Sequence, residues 1–207
     1  MRGEGSARST YVPIGYDCAP QEGMARMTRI SRIGRSQVTG AAKDTFERKV
    51  AERGHIPNMY RVFAHRPWLL TTVDAHFAAV MGSGTVPLRL KELLAVQTAL
   101  LHANDYCLRT HSTLAKRTGA TDAQIDALLD FENGPFDAKE KAALRYGAQM
   151  TRDSHRISEE AFADLRRHFT EPEIVEITCV LGLLAYFSRF NEALQVAPTE
   201  PGEGVDS

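Results

Sequence analysis

Between residues 27 and 197 the apolar positions recur on a helical period, and no two segments alternate in a way that would pair as strands. Residues 42–53 suit a first helix, ended by Gly54. Pro57 and Pro67 stand where two further helices begin, because a first turn tolerates proline. After the Gly82-Ser83-Gly84 loop, Thr85 is a candidate N-cap, with Pro87 in the first turn of a helix over about 87–103. That helix is apolar on most of its circumference, through Leu90, Leu93, Leu94, Val96, Leu100 and Leu101, which predicts burial in the core. Asn104 and Asp105 break the run, and either suits the cap of a following helix that stops at Gly119. Thr121 with Gln124, and Thr170 with Glu173 around Pro172, have capping-box spacing. Asp137 opens a segment to about Met150, Ser158 another to about His168, and a last helix spans about 172–192. Strands would leave these caps without a purpose, so the pattern predicts an all-α fold.

The pattern fails at both ends. Residues 1–26 are small and polar and carry Gly3, Gly5, Pro13, Gly15 and Pro20, which predicts a flexible N-terminal extension ahead of a single domain over 27–197. Residues 198–207 (PTEPGEGVDS) read as a polar C-terminal tail. Arg26, Arg29, Arg32 and Arg35 form a basic stripe, expected to be a solvated face rather than an anion-binding one.

Charge supports that expectation, because 25 basic residues balance 26 acidic ones and leave no field for nucleic acid or an anionic membrane. The longest apolar run, Cys179 to Phe187, is far shorter than the ~20 residues of a membrane span. No basic start followed by an apolar core marks a secretory signal. Cys18, Cys107 and Cys179 are odd in number and widely spaced, which argues against a disulfide scaffold and for a reducing cytoplasm.

The candidate chemistry lies at the break between the two central helices. Cys107 and His111 are four apart, on one helix face. A free thiol titrates near about 8.5, and a helix N-terminus and a nearby imidazole both favour the reactive thiolate. Asp105 acts in the opposite direction. Glu92 stands in the apolar helix before the break, where a carboxylate must face solvent, beside Lys91, or find a partner. A fold-back at Asn104 would bring it to His111, to orient the ring or accept its proton. His102 is expected to be structural, with a place in the same pocket as the alternative. Trp68, Phe63 and Phe77 are read as core, and so is Cys179, from its apolar helix. Metal is not expected, because no second ligand pair accompanies Cys107 and His111. Phosphate loops, HExxH and nucleophile elbows are absent.

Within KELLAVQTALLHANDYCLRTH, Glu92, Asn104, Cys107 and His111 resemble the carboxymuconolactone decarboxylase/AhpD-like family. AhpD-like proteins carry a glutamate, Cys-x-x-Cys twelve residues later, and a histidine four beyond the second cysteine. Gly54–Leu70 resembles the segment that precedes those helices, and Phe187, Asn191 and Ala193-Leu194 resemble the closing helix. Family N-termini often begin like Met27-Thr-Arg-Ile, which makes Met27 a candidate natural start. The resemblance implies an AhpD-like helical bundle whose core hairpin carries the site. It implies Cys107 as the peroxide-reacting thiol, with His111 and Glu92 as its proton relay. Here Asn104 replaces the first cysteine, and Tyr106 stands where a further histidine can occur. The neighbouring dithiol cannot form, so this is a one-cysteine variant.

Three functions follow as expectations. The first is a thiol-dependent peroxidase-like protein acting on hydroperoxides, with an external thiol reductant and Cys18 or Cys179 as conceivable resolving partners. The second is a non-redox, decarboxylase-like acid–base enzyme on a small carboxylic acid, using His111 and Glu92. The third is a ligand-binding protein without catalysis. No cofactor is expected, and the resemblance implies a homo-oligomer, hexamer or trimer.

Overall fold

The computed structural model describes residues 28–205, and its regular elements are helical throughout. The helices are α1 (Gly40–Arg53), α2 (Asn58–Phe63), α3 (Pro67–Met81), α4 (Leu88–Leu101), α5 (Asp105–Arg117), α6 (Asp122–Asp126), α7 (Ala138–Arg152), α8 (Glu159–His168) and α9 (Glu171–Leu194). The readings made for Cys18, Arg26, Met27 and the N-terminal extension lie outside the described residues.

α4 is the central element. Every residue from Leu90 to Ala99 is buried, and the helix packs against α5, α7 and α9 together. Each fully buried Leu or Val on it contributes roughly 1.5–3 kcal/mol. The three-helix junction closes through Gly147 on α7. A Cβ there would stand 3.0 Å from Leu94 Cδ2, 3.0 Å from Gln97 Oε1 and 3.2 Å from Leu181 Cδ2. Gly147→Val therefore overpacks a dense core, and chemical denaturation should show a loss of about 1–3 kcal/mol.

The caps do what the side chains allow. Asn104, Thr121, Asp137 and Ser158 accept backbone N–H groups at the starts of α5 to α8, and Thr121, Asp137 and Thr170 complete capping boxes. α1 ends on Gly54 in the left-handed region at φ 72°. Thr85 does not cap α4. Glu176 on α9 captures both its hydroxyl and its N–H, and Pro87 becomes the N-cap. Two apolar readings also need correction. Trp68, in the first turn of α3, is 67% exposed. Cys179 is exposed on the outer face of α9, because Ile177, Val180 and Leu181 take the inward positions of that turn.

Of the basic stripe, Arg29 donates to the Ala193 carbonyl, Arg32 pairs with Glu203 and Arg35 pairs with Glu47. Among the described residues no helix is long and apolar enough to cross a membrane.

Candidate functional site

α4 and α5 form a tight hairpin through His102, Ala103 and Asn104. Ala103 adopts φ 51°, a left-handed conformation that costs an alanine about 1–2 kcal/mol. The turn is held by Asn104, whose Oδ1 accepts the Cys107 N–H at 2.7 Å. Its Nδ2 donates to the Ser188 carbonyl at 3.2 Å and to Glu192 Oε1 at 3.1 Å. The residue in place of a first cysteine is thus a helix cap that also ties α5 to α9.

The hairpin brings Glu92 and His111 together. Glu92 Oε2 lies 2.7 Å from His111 Nδ1, with both side chains buried. The alternative of a surface glutamate beside Lys91 does not hold, since both residues are buried in α4. A carboxylate facing Nδ1 fixes the proton of the neutral ring there and leaves Nε2 unprotonated. His111 lines a cavity of about 450 Å³ and Glu92 stands behind it. Imidazole buttressed from behind is an arrangement suited to accepting a proton from whatever enters.

Cys107, on the face one turn earlier, lines the same cavity and is 3% exposed. Burial pushes its thiol up to about 11, and the Glu192 carboxylate adds to the rise. Ser188 and Asn191 on α9 act in the other direction, Asn191 with its amide nitrogen 3.7 Å from Sγ. The helix N-terminus and the imidazole therefore do not make this a resting thiolate, and the carboxylate that matters is Glu192 rather than Asp105. At pH 7 about one thiol in ten thousand is ionised. Asn191 Oδ1 is buried beside the sulfur without a hydrogen-bond donor among the described residues.

Tyr60, Phe77, Tyr106 and Phe187 form much of the wall. Tyr106 accepts the Met59 N–H at 3.3 Å, and burial pushes the pKa of its phenol up. The chain after α9 closes one side with Pro198, Thr199, Glu200 and Pro201. This polar segment is fastened to α2: Thr199 Oγ1 accepts the Asn58 N–H at 2.8 Å, and the Asn58 amide donates to Glu203 at 3.0 Å. His102 is not among the lining residues. Its ring is partly buried at the far side of the hairpin, with burial and then Arg189 holding its pKa below the ordinary value. Among the described residues no cluster of three or more metal-ligating side chains occurs.

Sequence reasoning missed Arg53, His55, Tyr60 and the 198–201 segment. They reach the cavity only through the packing of α1, α2 and the C-terminal chain around the hairpin, and no local spacing marks them. Asn191 was singled out by resemblance, and its contact with Cys107 Sγ gives it a physical place.

Fold and site together define a helical-hairpin protein in which a Glu–His pair and one cysteine share a cavity. Residues 67–152 match the Carboxymuconolactone decarboxylase family, and the resemblance to that family and its AhpD-like members stands. The match contains Glu92, Cys107 and His111. The chain is 25% identical over 118 residues to the uncharacterized protein YnjA of Escherichia coli (strain K12), covering 56% of this chain and 62% of that one. It is 24% identical over 106 residues to the uncharacterized protein YdfG of Bacillus subtilis (strain 168), covering 50% and 72%. The chain thus spans about three fifths of the length of YnjA. Among solved structures, an AhpD-core, peroxidase-related protein from Ralstonia eutropha JMP134 superposes with TM-score 0.77 at 19% identity, covering 84% of this chain and 93% of that one. The debrominase Bmp8, as a cysteine-to-alanine variant with 2,3,4-tribromopyrrole, superposes with TM-score 0.75 at 20% identity, covering 88% and 98%. At these identities the likeness is one of fold.

Proposed function

We propose that this protein is a thiol-dependent, peroxidase-like oxidoreductase with Cys107 as its reactive cysteine. The observation that supports this best is the buried Glu92–His111 pair opening on the cavity that holds Cys107. His111 Nε2 takes the thiol proton, and the sulfur attacks the outer oxygen of a hydroperoxide. The S–O bond forms as the O–O bond breaks, and the alkoxide leaves as an alcohol with the proton from His111. Cys107 is then a sulfenic acid. An external thiol condenses with it, releasing water, and a second thiol reduces the mixed disulfide. With Asn104 in place of a second cysteine, the reductant comes from outside the hairpin.

Burial of the thiol fits this scheme, because a sulfur that ionises only when a base acts on it is protected between turnovers. The same burial favours a second reading, in which His111 and Glu92 perform acid–base chemistry on a small carboxylic acid and Cys107 is a wall residue. A cytoplasmic, reducing location goes with the first reading. A homo-oligomer, trimer or hexamer, is supported by the outward positions of Val175, Cys179 and Tyr186 along α9.

The deciding variant is Cys107→Ser. Loss of thiol-driven hydroperoxide consumption, together with sulfenic-acid trapping at Cys107 in the wild type, is the expected result. Undiminished turnover of a small carboxylic acid in Cys107→Ser would instead establish the acid–base reading.

A further inference from the structure

Arg53 lies in the last turn of α1, where its charge suits the carbonyl end of the helix. Its guanidinium reaches past that end. Cζ stands 5.7 Å from the centroid of the Phe77 ring, and Arg53 lines the cavity with His55, Tyr60 and Tyr106. Its charge is felt by both phenols, where it opposes the rise caused by burial, and by His55, whose pKa is lowered first by burial and then by Arg53.

The cavity's charges do not balance. Among the described residues Arg53, Arg109 and Arg117 line it, against the carboxylate of Glu200. Glu200 is engaged with Arg109 at 3.6 Å. Among the described residues Arg53 and Arg117 form no ion pair. A half-buried guanidinium beside two phenols and an aromatic face is a strong site for a carboxylate, which it binds through charge-assisted hydrogen bonds. Phe77, Phe187, Met59 and Leu114 offer the remaining wall to an apolar body. Asn191 is 1% exposed and lines the same cavity, with Oδ1 lacking a donor among the described residues. A hydroperoxide O–H supplies that donor next to Cys107 Sγ.

We propose that the substrate is an amphipathic organic acid, a carboxylate-bearing hydroperoxide, whose carboxylate is held by Arg53 while its O–H end meets Asn191 and Cys107. The choice of hydroperoxide rests on the function proposed above; the carboxylate does not. Arg53 is then a specificity residue.

The test uses the full chain and needs no turnover. Alkylation of Cys107 by iodoacetamide is followed by mass spectrometry, which separates it from Cys179, in the presence of 4-phenylbutyrate or its neutral isostere 4-phenylbutyramide. The acid should protect Cys107 at about tenfold lower concentration than the amide. Arg53→Gln should equalise the two, Arg53→Lys should keep part of the preference, and Arg156→Gln, an exposed arginine away from the cavity, should keep all of it. Unchanged circular dichroism and Tm in Arg53→Gln exclude misfolding as the cause. Equal protection by acid and amide in the wild type, a preference that survives Arg53→Gln, or no protection by the acid at millimolar concentration would each overturn the assignment. Carboxylate protection without sulfenic acid at Cys107 would uphold Arg53 and reject the peroxidase reading; the reverse pair of results would do the opposite.

Discussion

His111→Ala slows peroxide oxidation of Cys107 by about 10²–10⁴-fold at pH 7, the range expected for loss of a positioned general base. Two features set the size of this effect. The thiol sits near 11, so without a base the reactive species is scarce. The ring is held by Glu92 at 2.7 Å, which leaves Nε2 as its basic atom. Stopped-flow oxidation with sulfenic-acid trapping measures the rate, and its pH dependence tests the cause. In His111→Ala the rate should climb about tenfold per pH unit from 7 toward 11, following the thiol's own ionisation. In the wild type, where His111 accepts the thiol proton, the climb should be shallower. Glu92→Gln retains a hydrogen bond to the ring but loses the charge behind it, and should fall between the two. Parallel pH profiles in wild type and His111→Ala would remove the histidine from the proton transfer.

The ingredients of this prediction were unequally legible in the sequence. Cap chemistry is local, so Asn104, Thr121, Asp137 and Ser158 announced helix starts that the structure keeps. The hairpin was legible too, because Asn104 interrupts an apolar helix and so returns α5 onto α4, bringing His111 toward Glu92. The ionisation state of Cys107 was not. The spacing places a thiol near a helix N-terminus and an imidazole, but its burial under α9 and the proximity of Glu192 depend on a contact between residues more than eighty apart. Trp68 and Cys179 fail for a related reason. Apolar character states that a side chain suits burial, and only the packing of neighbours decides which face of its helix is covered. Arg53 carries no signal at all, since a basic residue before a C-terminal glycine is ordinary helix punctuation.

The second large effect is on stability. Glu176→Ala should cost about 3 kcal/mol, the low end of the range for breaking a buried pair, because it strips the buried Lys91 of its counter-charge while Glu176 itself is partly exposed. Lys91 is 0% exposed, with Nζ 2.5 Å from Glu176 Oε1 and 2.8 Å from the carbonyls of Val80 and Gly82. Glu176 also accepts the Thr85 hydroxyl at 2.6 Å and the N–H groups of Thr85 and Val86 at 3.0 and 3.2 Å. This clip joins the end of α3, the loop before α4 and the start of α9, and it fixes α4 one residue from Glu92. Burial pushes the Glu176 carboxyl up, but Lys91, Thr85 and Val86 outweigh it and hold it at about 2, against an ordinary 4.5. A depressed carboxyl stabilises the fold fully above its unfolded pKa and loses that contribution as pH falls through the folded value. Urea unfolding of the wild type should therefore lose about 3 kcal/mol between pH 5 and pH 2 from this group alone. The gap to Glu176→Ala should close over the same interval. A gap that stays constant with pH would mean the carboxylate's charge is not what stabilises the clip. The double variant Lys91→Met/Glu176→Leu separates pairing from packing. It leaves no unpaired buried charge, so it should recover much of the loss at pH 7.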